Sequence, residues 1–132
     1  MTAGSSRADG GAGWLPDLHP HNVVIDCADH DVVVPFWEAA LGWSSRRINE
    51  QFVALRPPEG SGVGFAILFQ QVPEPKTAKN RAHLDFDSGD MPAEVERLIA
   101  LGGRKLAEHH LGDFRWTIVA DPEGNEFCVT IR

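Results

Sequence analysis

Asp90-Met91-Pro92-Ala93-Glu94-Val95-Glu96-Arg97-Leu98-Ile99-Ala100-Leu101-Gly102 decides the fold, because its plan occurs twice in the chain. Pro92 suits the first helical turn, and Glu94 and Glu96 complement the positive end of a helix. Val95, Leu98, Ile99 and Leu101 form one apolar stripe that stops at Gly102-Gly103. The stretch from Asp29 to Ala40-Leu41-Gly42 follows the same plan: an aspartate cap, then Val33, Phe36, Trp37, Ala40 and Leu41 at helical spacing, then a terminating glycine. Pro35 fits such a helix only near its first turn.

Working outward, each helix is preceded by one strand-like run and followed by three. Asn22 to Cys27 leads into the first helix; Trp43 to Ile48, Phe52 to Arg56 and Val63 to Val72 follow it. Arg81 to Asp87 leads into the second; Arg104 to His109, Phe114 to Ala120 and Glu126 to Ile131 follow. Pro58-Glu59-Gly60 and Pro122-Glu123-Gly124 mark equivalent turns. Asp29 and Asp90 lie 61 positions apart, Gly42 and Gly102 lie 60, and Gly60 and Gly124 lie 64. The expectation is an α+β domain of two tandem βαβββ modules whose curved mixed sheets enclose a cavity. Residues 1–17, mostly small and polar, read as a disordered tail. Residues 18–132 form the domain, with modules at 18–73 and 81–132.

Composition narrows the partners. Twelve basic against 19 acidic side chains give a net charge of −7, which argues against a phosphate-binding surface and hence against nucleic acid. No apolar run approaches the roughly 20 residues that cross a bilayer, and no secretory pattern opens the chain. A cytoplasmic, membrane-free protein is expected. Cys27 and Cys128 are then read as free thiols, not as a disulfide.

Strand alternation sorts side chains into faces. Val23, Ile25, Cys27, Leu84, Phe86, Phe127, Val129 and Ile131 take the apolar parity and should pack on the helices. The opposite parity carries Asn22, Asp26, His83, Asp85, Glu126, Cys128 and Thr130. Where paired modules bring these strands together, such a set is either a small-molecule site or the wet side of a sheet. His83 is a ligand or acid/base candidate, or else a histidine tied to Asp85. Cys128 is a nucleophile only if His83 lowers its pKa; otherwise it is an inert buried thiol. Trp116 forms a pocket wall or packs in the sheet. Lys76, Lys79 and Arg81 either steer an anionic ligand or solvate the linker between copies, and His109-His110, pointing to opposite faces, cannot easily share one ion.

With these residues in view, the chain resembles the vicinal oxygen chelate superfamily, which includes glyoxalase I, extradiol dioxygenases and bleomycin-resistance proteins. The likeness runs over residues 18 to 132. It is carried by Val24-Ile25-Asp26-Cys27-Ala28-Asp29 before Phe36-Trp37 and Ala40-Leu41-Gly42, and by Asp121-Pro122-Glu123-Gly124-Asn125-Glu126-Phe127-Cys128-Val129. Lys79-Asn80-Arg81 running into His83-Leu84-Asp85 resembles a glyoxalase-like subgroup. Members that perform metal chemistry hold a divalent ion with His, Gln or Glu from the first, fifth and last strands, and one more from the fourth in glyoxalases. Those positions fall on Asn22, His83 and Cys128, with Gln70 or Gln71 on the fourth strand. Asn, His and Cys make a poor set for a hard cation, so no cofactor is expected; zinc, nickel or iron at His83 is the alternative.

The resemblance implies a glyoxalase-like domain, a homodimer, binding a small organic molecule between its modules. His83 would be the catalytic residue, and Asn22, Asp26, Gln70, Asp85, Trp116, Glu126 and Cys128 the ligand contacts. The chemistry implied is an isomerase- or lyase-type proton transfer; the alternative is a non-catalytic protein that sequesters a drug or metabolite.

Overall fold

A computed structural model describes residues 16–132. The tail expected at 1–17 therefore lies almost wholly outside the described residues. Ten elements follow in order: β1 Asn22–Cys27, α1 His30–Leu41, β2 Ser44–Arg47, β3 Phe52–Arg56, β4 Ala66–Gln71, β5 Asp85–Ser88, α2 Met91–Ala100, β6 Arg104–Leu111, β7 Phe114–Ala120 and β8 Glu126–Ile131. They form two four-stranded sheets, ordered β1-β4-β3-β2 and β5-β8-β7-β6. In each, the first strand pairs parallel with the fourth and the rest are antiparallel. This is βαβββ twice, α+β, as the repeat implied. Neither sheet closes into a barrel.

Local chemistry sets the helix ends. The Asp29 carboxylate accepts the Asp31 N–H at 2.9 Å, and Gly42 stops α1 at φ +69°. Asp90 accepts the Ala93 N–H at 3.2 Å to open α2. With Asp29 as cap, Pro35 falls inside the helix, past its first turn. Its missing N–H deprives only the carbonyl of Asp31, an exposed residue, so water can serve it.

Two departures from the sequence reading affect the site. Strand β5 begins at Asp85, so His83 lies in the irregular approach to the ladder. Strand β6 runs on to Leu111, with a bulge between Lys105 and Ala107.

The core is continuous across the modules: Val33, Phe36, Trp37, Leu55, Ile67 and Phe69 of the first join Met91, Val95, Leu98, Val119, Phe127 and Val129 of the second. Trp37 makes the joint. Its ring centroid lies 4.7 Å from that of Phe127 and 6.0 Å from that of Phe86, so this side chain of α1 reaches from its own module onto the sheet of the other. Hydrogen bonds fix the same joint. Trp37 Nε1–H donates to Asp121 Oδ2 at 3.0 Å, and the Ala28 and Asp29 N–H groups donate to the Glu123 carboxylate at 2.7 and 2.8 Å. From α2, the Arg97 guanidinium donates to the carbonyls of Ala39 and Ala40, which end α1, at 3.1 and 2.8 Å. The Asp121–Asn125 turn is thus a latch. Its counterpart Pro58-Glu59-Gly60 only turns the chain at the surface.

Candidate functional site

A recess of about 670 Å³ opens along the seam between modules. One wall is β1 with Gln70 of β4; the other is the segment Asn80–Leu84 with the start of β8. Val23, Ile25, Trp37, Leu84 and Phe127 supply its apolar surface, and Asp26, Gln70, Arg81, His83 and Glu126 its polar one. Trp37 therefore both locks the modules and lines the recess.

The polar residues differ in how free they are. Asp26 and Gln70 are register partners across β1 and β4. Among the described residues nothing hydrogen-bonds or ion-pairs with the side chains of Asp26, Gln70 or Arg81. Glu126 is already engaged: its Oε1 accepts the Asn80 N–H at 3.0 Å and lies 3.2 Å from Lys76 Nζ. Burial opposes its ionisation, but Asn80 and Lys76 overcome that and hold its carboxyl below the usual carboxylate range. Lys76 is thereby committed to the scaffold, leaving Arg81 as the unengaged cation on this wall.

Next to the recess, His83 Nε2 lies 3.2 Å from Asp85 Oδ1. Asp85 faces Cys128 across the parallel β5·β8 pair, and the Cys128 N–H donates to the Leu84 carbonyl at 2.9 Å. Burial pushes the Cys128 thiol above its ordinary pKa, and the Asp85 carboxylate, by charge and hydrogen bond, adds to that; Lys79 opposes it weakly. Near neutral pH it is a thiol, without the thiolate a nucleophile needs. Cys27 is raised to about 11, first by burial and then by Glu123, Asp121, Asp26 and Asp29.

Of the residues singled out from sequence, the structure places Asp26, Gln70, His83 and Glu126 on the recess and groups Asp85 and Cys128 with His83. Asn22, exposed at the start of β1, is not among the residues that line the recess. Trp116 lies on β7, paired with Thr130, its ring stacked on His109 at 5.4 Å and near Phe114 at 5.6 Å. Sequence reading missed the apolar surface of the recess, and it missed that Arg81 remains unengaged.

A glyoxalase-like domain model matches residues 22–130, nearly the whole described chain. The chain belongs to the glyoxalase-like domain family. With it comes membership of the vicinal oxygen chelate superfamily. Solved structures agree on the fold. A glyoxalase/bleomycin resistance protein/dioxygenase family enzyme from Burkholderia phytofirmans PsJN superposes with TM-score 0.67 at 18% identity, over 83% of this chain and 95% of that one. A glyoxalase-related enzyme from Fulvimarina pelagi gives 0.67 at 17%, over 86% and 88%. A lactoylglutathione lyase from Agrobacterium tumefaciens gives 0.63 at 16%, over 88% and 95%. At such identities the likeness concerns the fold alone. None of the curated proteins matches.

Metal dependence is common in this family, so the donors deserve a test of fit. Asn22 offers only a weakly basic amide. One ligand atom each from His83, Asp85 and Cys128, however, lie within 4.8 Å of one another. Imidazole nitrogen, carboxylate oxygen and sulfur are the donors zinc takes. This set fits a metal, and two of its members, His83 and Cys128, stand at positions where the resemblance implies ligands, Asp85 taking the place of Asn22.

Proposed function

We propose that this glyoxalase-like chain binds a small organic molecule in the recess between its modules. One observation carries the reading: a recess of about 670 Å³ that joins an apolar surface to the unengaged side chains of Asp26, Gln70 and Arg81. Small-molecule sites run from roughly 300 to 1,000 Å³ and combine apolar walls with a few placed polar groups. Arg81 suits a carboxylate or carbonyl on the ligand, and Asp26 with Gln70 suits a cationic or hydrogen-donating group opposite.

The His83–Asp85 contact supports a catalytic form of this reading. The carboxylate orients the ring, and His83 then moves a proton next to a carbonyl, an isomerase- or lyase-type step. A metal at the neighbouring donors would supply Lewis-acid polarisation of a ligand oxygen. Sequestration without turnover is the competing form. A homodimer is part of the proposal, with the exposed Leu111 and Phe114 of the β6–β7 hairpin as apolar groups it would cover. Among the described residues no helix is long and apolar enough to cross a membrane.

A thermal-shift panel of cationic antibiotics, keto acids, thioesters and hemithioacetals tests binding. A ligand at 100 times its Kd adds about 2.7 kcal/mol of stability. Deuterium exchange next to the ligand carbonyl then tests turnover, which His83→Ala should reduce by about 10²–10⁴-fold. Binding without exchange identifies a sequestering protein. A panel with no shift at any concentration sinks the recess as a site.

A further inference from the structure

Given the binding reading above, on which this rests, we propose that the recess takes an extended zwitterion: an ammonium at one end, a carboxylate at the other and an apolar body between. A dipeptide with free ends is the simplest molecule of that kind. Of the four ionisable side chains on the walls, two are already paired, Glu126 with Lys76 Nζ at 3.2 Å and His83 Nε2 with Asp85 Oδ1 at 3.2 Å. Asp26 and Arg81 have no such partner among the described residues, and they do not bond to each other. They stand on opposite walls, Asp26 on β1 and Arg81 in the Asn80–Leu84 segment.

Two unbalanced charges of opposite sign, held apart, work against any ligand with only one. A lone anion held by Arg81 would face the Asp26 carboxylate across the recess and would have to approach a chain of net charge −7. A lone cation held by Asp26 would face Arg81. A molecule with both charges meets an opposite partner at each end and brings no net charge into the field. Because the partners lie on facing walls, the ligand's charges must lie at its two ends. That excludes a single α-amino acid, whose ammonium and carboxylate share one carbon.

Between the ends, Val23, Ile25, Leu84 and Phe127 offer apolar contact. Gln70, level with Asp26 across β1 and β4, offers an amide donor and acceptor that match a peptide group. Asp26 and Arg81 are both exposed, which sets the scale of the effect. A hydrogen bond to a charged group is worth about 10-fold or more in affinity when dry, and solvent screening brings each end to about 5–10-fold.

Calorimetric titration of the full chain near neutral pH with leucylphenylalanine, its N-acetyl form, its C-terminal amide and the doubly capped neutral form removes the ligand charges one at a time. The free dipeptide should bind best, and each cap should cost about 5–10-fold. Arg81→Gln should weaken the free dipeptide and the N-acetyl form by that factor without weakening the amide. Asp26→Asn should weaken the free dipeptide and the amide without weakening the N-acetyl form. Arg56→Gln, which removes a cation outside the recess, should change nothing. A doubly capped form that binds as tightly as the free dipeptide, or losses that do not follow this crossed pattern, would overturn the zwitterion while leaving the recess its ligand. Binding by none of the four at millimolar concentration would overturn it too, and the broader thermal-shift panel then decides the recess independently.

Discussion

Asp121→Ala should loosen the two modules from each other. Asp121 is 1% exposed and its carboxylate accepts four hydrogen bonds: Glu123 N–H at 2.9 Å and Asn125 N–H at 3.0 Å on Oδ1, then Trp37 Nε1–H at 3.0 Å and Asn125 Nδ2–H at 3.1 Å on Oδ2. The turn donors are half-buried and water can recover part of their loss. The indole N–H cannot be rescued so, since Trp37 is only 2% exposed. A buried donor left unpaired costs about 1–3 kcal/mol, and hydrogen bonds to a charged group are worth about 1.5–3 each at best. Together these give about 3–5 kcal/mol, a large share of the 5–15 typical of a domain. The melting temperature should fall by roughly 10–20 °C. Urea denaturation followed by circular dichroism measures the first quantity and calorimetry the second. Trp37→Phe keeps an aromatic ring and removes the donor, so the double mutant should show a coupling of about 1–2 kcal/mol. A loss below about 1 kcal/mol, or additive single mutants, would refute the latch.

Three further outcomes follow from the same structure. Gly103→Ala should cost about 1–3 kcal/mol by urea denaturation, because its Cβ would meet the carbonyls of Leu98 and Ala120 at 3.0 and 3.2 Å and the Phe36 ring at 3.2 Å; a neutral result would mean that the turn after α2 shifts freely and is not held by these contacts. Glu126 has a lowered pKa in the folded chain, so its contribution is complete above its unfolded value of 4.5 and is lost as pH falls below that; the stability gap to Glu126→Gln should close in acid, and a constant gap would show that the charge is irrelevant. Cys128 should react with iodoacetamide at neutral pH more slowly than a free thiol, and Asp85→Asn, by removing the charge that raises its pKa, should speed it up; a slower variant would contradict the assigned cause.

The helices and most strands were legible in the sequence because short-range chemistry specifies them. Asp29, Gly42, Asp90 and Pro92 act on neighbours a few residues away, and both helices start and stop where those residues imply. The joint between modules was not legible. Glu123 reaches Ala28 across 95 positions and Trp37 reaches Asp121 across 84, so the Asp121–Asn125 turn could be read only as a turn. The site was legible in part. Alternation found Asp26 and His83, but it assigned Val23, Ile25, Leu84 and Phe127 only to helix packing. Alternation describes the interior of a sheet; at an edge strand such as β1 the seam exposes both parities, and these side chains line the recess as well. The meeting of Asp85 with Cys128 depends on the register of β5 against β8, which no local pattern encodes.

The placement of the latch bears on synthesis. Helix α1 is complete some 80 residues before Asp121, Glu123 and Phe127 are added. Until then the emerging first module exposes the ring of Trp37, and the N–H groups of Ala28 and Asp29 can turn only to water. A nascent chain stalled ahead of residue 121 should therefore be open to proteases and adhere to chaperones, and become compact once the turn and β8 have left the ribosome.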